Sequence, residues 1–386
     1  MDGPPGRGPK FVKVGRSSDL VPENAVAEAT RQLPLSEARF VLAFIPHTLE
    51  IEATVAALSE RLPGIPVFGC TTAGQITTHG YETDALLLLA FPKDNFRCAS
   101  ILIENLRPLS TTAIAAKAKR HAERFRHTAG WNRMALLLSD GLCKQEDLLV
   151  SVLETVLQGL PIFGGSAGDG LKFDQTFVLH DGKAHTNASV LLLLETNLQF
   201  QSLGFDHFLP EGAQIVITDS DPEERLVFEI NGAPAAQEYA RLVDCPVEQL
   251  SPEVFAENPM LLQHNRKHYV RAVHNVADKS ALSFLAAIDD GLIMTLGKGR
   301  EIIETLKAGL DVSDGNGVGP DFILGFDCVL RKLEIVQKQL HGQVSDILQD
   351  NRVLGFNTYG EQQSGVHMNQ TFVGIAFFEP ETRALI

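Results

Sequence analysis

The sequence predicts an α/β protein with mixed sheets, its N-terminal half built from a duplicated strand–helix–strand unit and its C-terminal half α+β. Three observations carry this. Phe68-Gly69-Cys70-Thr71-Thr72-Ala73-Gly74 is echoed by Phe163-Gly164-Gly165-Ser166-Ala167-Gly168-Asp169 at an offset of 95 residues, and Gly64-Ile65-Pro66-Val67 by Gly159-Leu160-Pro161-Ile162. The offset needs no gap back to the apolar runs 40–45 and 134–138, which read as strands buried on both faces. From about Leu198 the style changes to short strands separated by polar turns.

Taken in order, residues 11–16 alternate as a first strand, and a helix follows over 24–32 with Pro22 near its start. Strand 40–45, helix 52–61 and strand 65–68 form a βαβ unit with parallel strands, because a crossover helix joins parallel neighbours. The small-residue turn at its end lets backbone approach backbone or a ligand closely. Residues 85–91 and 99–106 are expected to pair as antiparallel neighbours. The second pass runs through helix 112–125, strand 134–138, helix 145–157 and residues 161–163 into the second turn. An additional hairpin, 173–187, turns at Asp181-Gly182 and pushes the strand 189–194 beyond the 95-residue offset. Two turns from one duplicated unit are placed to face a common pocket.

In the second half, 214–218, 226–230, 269–273 and 282–286 read as strands, with Asn231-Gly232 ending one of them. Helices are expected from 234–242 and over 299–307. Residues 322–326 form a buried strand. Val329, Leu333, Val336, Leu340, Val344 and Ile347 then step by three or four residues, the core-facing stripe of one amphipathic helix that Gly342 weakens without breaking. Strands 353–356 and 371–377 close the chain, joined by a polar turn over 359–369.

At 386 residues the chain exceeds one ordinary core, so two or three domains are expected. Its 44% apolar and 21% charged residues fit a soluble globular protein. A net charge of −15 and a pI near 5.2 would repel phosphates, which argues against nucleic acid as a partner. No apolar run reaches the ~18 residues of a membrane span. Residues 1–10, rich in Gly and Pro, read as a flexible arm without the apolar segment of a secretory signal. Five cysteines without CxxC spacing predict reduced thiols in a cytoplasmic protein and disfavour zinc.

The two turns, taken with three later segments, resemble the FIST family of sensory domains. Those segments are Glu229-Ile230-Asn231-Gly232-Ala233-Pro234-Ala235 with Tyr239, Tyr269-Val270-Arg271-Ala272-Val273, and Gly355-Phe356-Asn357-Thr358-Tyr359-Gly360-Glu361 leading to Asn369-Gln370-Thr371. Asp327-Cys328 with Arg331 is similar to the family's C-terminal half. The resemblance spans about 11–378 and implies a FIST N domain over 11–197 and a FIST C domain over 198–386. His207-Phe208-Leu209-Pro210, followed by Ile230-Asn231-Gly232-Ala233-Pro234-Ala235-Ala236, resembles stand-alone bacterial members. That branch includes the NosP-type haem proteins, which sense nitric oxide and regulate a partner histidine kinase, biofilm formation and two-component signalling. The resemblance therefore implies a cytoplasmic, non-enzymatic sensor of nitric oxide through haem b; a homo-oligomer is compatible with it. A haem-free FIST sensor of a small carboxylate or amino acid is the alternative.

A haem needs an axial ligand, commonly a neutral histidine whose second nitrogen is fixed by a hydrogen bond. None of the 12 histidines lies in a CxxCH, so covalent attachment is excluded. His207, among Phe205, Phe208 and Leu209, and His367, two residues before Asn369, are the candidate iron ligands. His121 and His127 sit in a basic helical stretch and are expected to be solvated, and His264, His268 and His274 to decorate a strand. Cys70 or Cys328 would need electropositive support to ligate as thiolate. Arg271 can pair a carboxylate or propionate through its planar fork; Glu361 and Asp169 can orient donors near the turns, His367 is expected to face the ligand pocket by its place in the family's terminal motif, and Asn369 is a further ligand-binding candidate. Ser166 lies between Gly164 and Gly168 in the G-x-S-x-G spacing, and Cys70 sits on the matching turn, so a hydrolase is the third reading. Backbone N–H groups at such turns more readily bind a carboxylate or phosphate.

Overall fold

The structure, a computed structural model, describes residues 8–264 and 267–381. Most of the expected arm at 1–10 lies outside the described residues. By Lys10 and Phe11 the chain is tied down, their N–H groups donating to the Asp321 carboxylate at 3.0 and 2.9 Å.

Both faces of the central strands are buried, and alternation decides what each face meets. In the strand Ala38–Pro46, Phe40, Leu42 and Phe44 point into a central core, while Val41, Ala43 and Ile45 point outward under helices. The first copy comprises β1 (Lys13–Ser17), α1 (Pro22–Arg31), β2 (Ala38–Pro46), α2 (Ile51–Arg61), β3 (Val67–Thr72), a hairpin of β4 (Gln75–Thr77) and β5 (Gly80–Glu82), and β6 (Leu86–Pro92). The second repeats that order: β7 (Phe96–Glu104), α3 (Thr111–Arg124), β8 (Asn132–Ser139), α4 (Glu146–Val156), β9 (Ile162–Ser166), the hairpin β10 (Val178–His180) and β11 (Lys183–His185), and β12 (Ala188–Thr196). The expected duplication is present.

A third copy follows. It opens with β13 (Gln199–Phe205) and is interrupted by an inserted module: β14 (Phe208–Asp221), β15 (Leu226–Ile230), β16 (Ala233–Pro234), α5 (Ala235–Leu242), α6 (Pro252–Glu257), β17 (Met260–His264), β18 (Lys267–Arg271), β19 (Val273–Val276), β20 (Leu282–Phe284) and β21 (Ile293–Gly299). The copy then resumes with α7 (Ile302–Leu310), β22 (Phe322–Cys328), α8 (Val329–Gln337), α9 (His341–Asp350), β23 (Val353–Thr358), the hairpin β24 (Glu361–Gln363) and β25 (Val366–Met368), and β26 (Phe372–Phe378).

Three six-stranded sheets result, and their pairing is cyclic. Copy one gives β1-β6-β2-β3 and receives the hairpin β10-β11 of copy two on its β3 edge. Copy two gives β7-β12-β8-β9 and receives β24-β25 of copy three; copy three gives β13-β26-β22-β23 and receives β4-β5 of copy one. The inner faces of all three sheets share one core, dominated by phenylalanines that cross copy boundaries. Phe91 meets Phe96 at 5.0 Å, and Phe96 meets Phe377 at 5.9 Å. Helices cover each outer face, α1 and α2, α3 and α4, and α7 with α9. The inserted module has its own core around Ile217, Tyr239, Phe255 and Met294.

Several expectations are corrected. The strands expected at 85–91 and 99–106 are not neighbours, because β6 lies between β1 and β2 in the first sheet and β7 at the edge of the second, beside β12. The hairpin at Asp181-Gly182 is not an insertion, since copies one and three carry equivalent hairpins; the extra length lies in the loop 170–177 before it. Asp181 and Gly182 do take the left-handed turn expected of them, with φ of 51° and 69°. The single helix expected over 329–347 is two, broken at Gln339 (φ 58°) and not at Gly342. The buried face of α8 is also rotated from the apolar stripe: Arg331 and Glu334 are inside, whereas Val336 is 49% exposed.

One glycine per copy permits the close parallel pairing. Gly69, Gly164 and Gly355 stand opposite Ala43, Leu137 and Gly325, and a Cβ on any of them would come within 3.0 Å of that residue's carbonyl oxygen. Gly164→Ala and Gly69→Ala should each cost about 3 kcal/mol or more, read as a lowered urea midpoint. Gly342→Ala, which meets open space on a helix, should instead stabilise by up to about 1 kcal/mol.

Candidate functional site

The small-residue turns leave the C-terminal ends of β3, β9 and β23, the ends of parallel strands where α/β sheets place ligands. All three meet at the centre of the molecule through backbone. Gly168 N–H donates to Thr71 O at 3.0 Å, Ala73 N–H to Asn357 O at 3.1 Å, Tyr359 N–H to Ser166 O at 3.2 Å and Ser166 N–H to Gly360 O at 2.8 Å. The turns thus satisfy one another, and the third was the one missing from the sequence duplication. Asp169 locks the second turn: its carboxylate accepts from Phe173, Asp174 and Gln175 N–H at 2.7–2.9 Å and from the Tyr359 hydroxyl.

Four of the expected site residues come together where copies two and three meet. Ser166 Oγ accepts from Gln362 Nε2 at 2.8 Å, and the same amide reaches His367 Nδ1 at 3.4 Å. His367 Nε2 faces Leu285 O at 3.4 Å, while its own carbonyl accepts from Arg271 Nη1 at 3.3 Å. Asn369 Nδ2 donates to Tyr359 O at 3.3 Å. The ring of His367 fills the space over Gly360, where any side chain would collide with it. Arg271 pairs with no carboxylate among the described residues: its fork is turned to the carbonyls of Val270 and His367, and burial holds its pKa below the usual value. Ser166 is fully buried, and Gln362 separates it from His367, so no base touches its hydroxyl. Cys70 faces the phenylalanine core, where burial pushes its thiol well up; burial does the same to Cys328. Neither has the support a thiolate needs.

Glu361 lies one residue from Gln362 but on the other face of β24. It is fully buried among Thr358, whose hydroxyl contacts one oxygen, and Thr371, whose N–H and Oγ1 lie 3.3 and 2.8 Å from the other. Burial raises its pKa to about 8, against the hydrogen bonds of both threonines, so it is largely protonated near neutrality.

His207 stands apart in a buried ionic chain. Arg331 Nε donates to Asp327 at 2.8 Å, Tyr81 from copy one bonds the same carboxylate, and Arg331 Nη1 lies 3.1 Å from His207 Nδ1. His207 Nε2 lies 2.8 Å from Glu334, which also accepts from Lys338 at 2.6 Å. Arginine can only donate, so Nδ1 must accept and the proton sits on Nε2, shared with Glu334. Burial lowers the pKa of His207 and so agrees with a neutral ring. A haem iron would need a free nitrogen lone pair, and this ring offers none. His367, 1% exposed and held between Gln362 and Leu285 O, offers none either. Neither residue fits the part of an axial ligand. Among the described residues no group of three His, Cys, Asp or Glu side chains could hold a metal ion.

Both histidines nevertheless border a cleft by their neighbours. About 620 Å³ in volume, it lies on the seam between copy three and the inserted module. Phe205, Asp206 and Phe208 flank His207 on one wall, Val366 and Met368 flank His367 on another, and Lys267, His268, Tyr269 and Arg300 come from the module. Among the described residues, Lys267 and Arg300 are the lysine and arginine lining the space, and Asp206, whose carboxylate accepts from Phe208 N–H at 2.8 Å, is the acidic one. His268 therefore lines a cavity, although it was expected only to decorate a strand. His274 packs at a tilt against Phe173, ring centres 4.3 Å apart, the side chain of His264 is outside the described residues, and His127 is not simply solvated but bonds the buried Glu195 at 3.1 Å. A smaller groove of about 360 Å³ beside α2 and β11 is mostly apolar and holds none of the expected residues.

The sequence reading missed Arg331, Glu334, Gln362, Lys267 and Arg300 as site residues. Asp327 and Arg331 had a visible signal, since their i,i+4 spacing at a strand-to-helix junction suits an ion pair. The cleft cations carried none, because they meet copy three only in the folded chain.

Residues 39–233 match the family model of the FIST N domain and residues 235–364 that of the FIST C domain. An uncharacterized protein of Methanocaldococcus jannaschii is 20% identical over 377 residues, covering 87% of this chain and 73% of its own. Among solved structures, a cyanuric acid hydrolase from A. caulinodans aligns over 95% of this chain and 99% of its own at 8% identity and a TM-score of 0.35, too distant a likeness to carry fold or activity.

Because the folded pKa of Glu361 lies above the usual 4.5, the native state binds a proton that the unfolded chain releases. Its contribution is complete below about pH 4.5 and is lost as pH rises toward 8. Glu361→Gln mimics the protonated acid, so the variant should be more stable than wild type by an increment that grows from pH 5 to pH 8. Urea titrations at both values measure it, and an equal difference at the two would contradict the assignment.

Proposed function

Because the chain belongs to the FIST family, carrying both its N and its C domain, we propose that it is a sensory protein that binds a small anionic ligand in the seam cleft and signals through a partner protein. The cleft carries this reading. Two cations, Lys267 and Arg300, stand on the module side, and Phe205, Phe208 and Tyr269 supply apolar walls, the mixture expected of a small-molecule site. A carboxylate or amino acid would bridge the module and copy three. It would thus favour whichever seam geometry it binds better, and it can shift the equilibrium only by that differential affinity. A histidine kinase remains the proposed partner, reading the seam by contact.

The finer reading, nitric oxide sensed through haem, finds no support at His207 or His367. One observation keeps it in view: His268, with Tyr269 and Met368, lines a cavity whose rim bears two cations. When bound, haem would supply the iron that takes nitric oxide, and this chain's part would be to hold it through His268 and to meet its propionates with Lys267 and Arg300.

A thermal-shift screen of carboxylates and amino acids on the whole chain separates the readings. A ligand at 100 times its Kd should stabilise by about 2.7 kcal/mol. The double variant Lys267→Ala/Arg300→Ala should weaken that ligand at least about tenfold. If no carboxylate shifts the melting temperature, and added haem gives a saturable Soret band that His268→Ala abolishes, the cleft belongs to haem. If neither occurs, the cleft is not the sensory site.

A further inference from the structure

The three turns converge on a second group of polar side chains, on a side of the molecule that the seam cleft does not reach. Asn357, at the end of β23, is fully buried, yet among the described residues neither its Oδ1 nor its Nδ2 makes a hydrogen bond of ordinary geometry, the Tyr81 hydroxyl beside it being already engaged with Asp327. Lys332, on the first turns of α8, reaches over the same spot, its Nζ 3.3 Å from Ala73 O and 3.4 Å from the exposed Thr83 Oγ1. Both side chains lie over Gly74, whose φ of 145° suits glycine and where a Cβ would crowd Nζ and Asn357 Oδ1 alike. His47, from the end of β2, packs over Gly170 with its Nδ1 unpartnered. A buried amide without partners is costly, and here it stands beside a lysine whose own bonds are long.

We propose that Lys332 and Asn357 form a second binding site, for a small oxyanion such as a carboxylate or phosphate group, entered past Thr83. The ammonium would pair with the anion, and the Asn357 amide would donate to it. Asp84 and Asp327 act on Lys332 as opposing charges, Asp327 being itself paired with Arg331 at 2.8 Å, and Lys172 acts on His47 as a second cation. Burial holds the Lys332 pKa down at about 8, which makes its amine unusually reactive toward acylating reagents.

That reactivity supplies the test. The full chain is acetylated with an N-hydroxysuccinimide ester in sodium acetate, in inorganic phosphate, or in sodium chloride of equal ionic strength, and Lys332 and the exposed Lys119 are quantified by peptide mass spectrometry. The proposal expects one of the two anions to slow labelling of Lys332 saturably, by about tenfold at nine times its Kd, with Lys119 unchanged. Whichever anion protects identifies the class. Protection must persist in Lys267→Ala/Arg300→Ala, which distinguishes this site from the cleft, so that either can fail alone. Lys332→Met should lose any thermal shift produced by the protecting anion; if that variant does not fold, labelling of the wild type decides. Equal labelling of Lys332 in both anions and in chloride overturns the proposal, as does protection that vanishes with the cleft cations.

Discussion

Three strand edges, those of β3, β9 and β23, would be open if each copy folded alone. An unpaired edge presents a row of N–H and C=O groups that water or another chain must satisfy. Here the hairpin of a neighbouring copy pairs with each edge, in a closed cycle of three. The rest of the architecture depends on this closure. It brings three inner faces together over one phenylalanine core, it sends the three turns to a common centre, and it fixes Gln362 and Tyr81, which sit on such hairpins, against copies other than their own.

The inserted module stands outside that cycle. It leaves the ring after β13 and returns before α7, so it can carry a separate core without disturbing the pairing of the three sheets. Its attachment is ionic as well as apolar. Arg225 bonds Glu146 at 2.6 Å and Asp147 at 3.2 Å on α4, and Glu224 meets Lys144 at 3.0 Å. These ion pairs hold the module to copy two, while the cleft and its cations lie on its separate seam with copy three.

Much of this was legible in the sequence where local pattern and fold agree. The apolar runs at 40–45 and 134–138 gave the central strands, and the repeated turns gave the duplication. The third copy was not legible, because the module separates β13 from β22 and because Phe356, Asn357 and Tyr359 replace the small residues of the earlier turns. Apolar stepping misled in α8: periodicity assumes that charge faces water, yet Arg331 and Glu334 are buried in an ionic chain with Asp327 and His207. Ser166, Asn369 and Arg271 were expected as ligand-binding residues and His367 as an iron ligand, and the fold brings the four together where copies two and three meet. What could not be foreseen is that their polar atoms face neighbouring backbone and amides instead of a cavity, since only cross-copy pairing determines that. The cleft itself arises from residues far apart in sequence, Phe205 and Met368 against Lys267 and Arg300.

The cyclic pairing also imposes an order on synthesis. The hairpin at 75–82 is made early, but its partner strand is β23, more than 270 positions later. While the chain is being elongated at roughly 5–20 residues per second, that hairpin has no edge to join for on the order of tens of seconds. The first sheet can fill its own edge once copy two supplies β10, whereas the ring cannot close until residues 353–358 have emerged. Native assembly is therefore completed from both ends of the chain at once, and a nascent chain stalled within the inserted module would expose the hairpin of copy one to chaperones or to the β23 edge of another molecule.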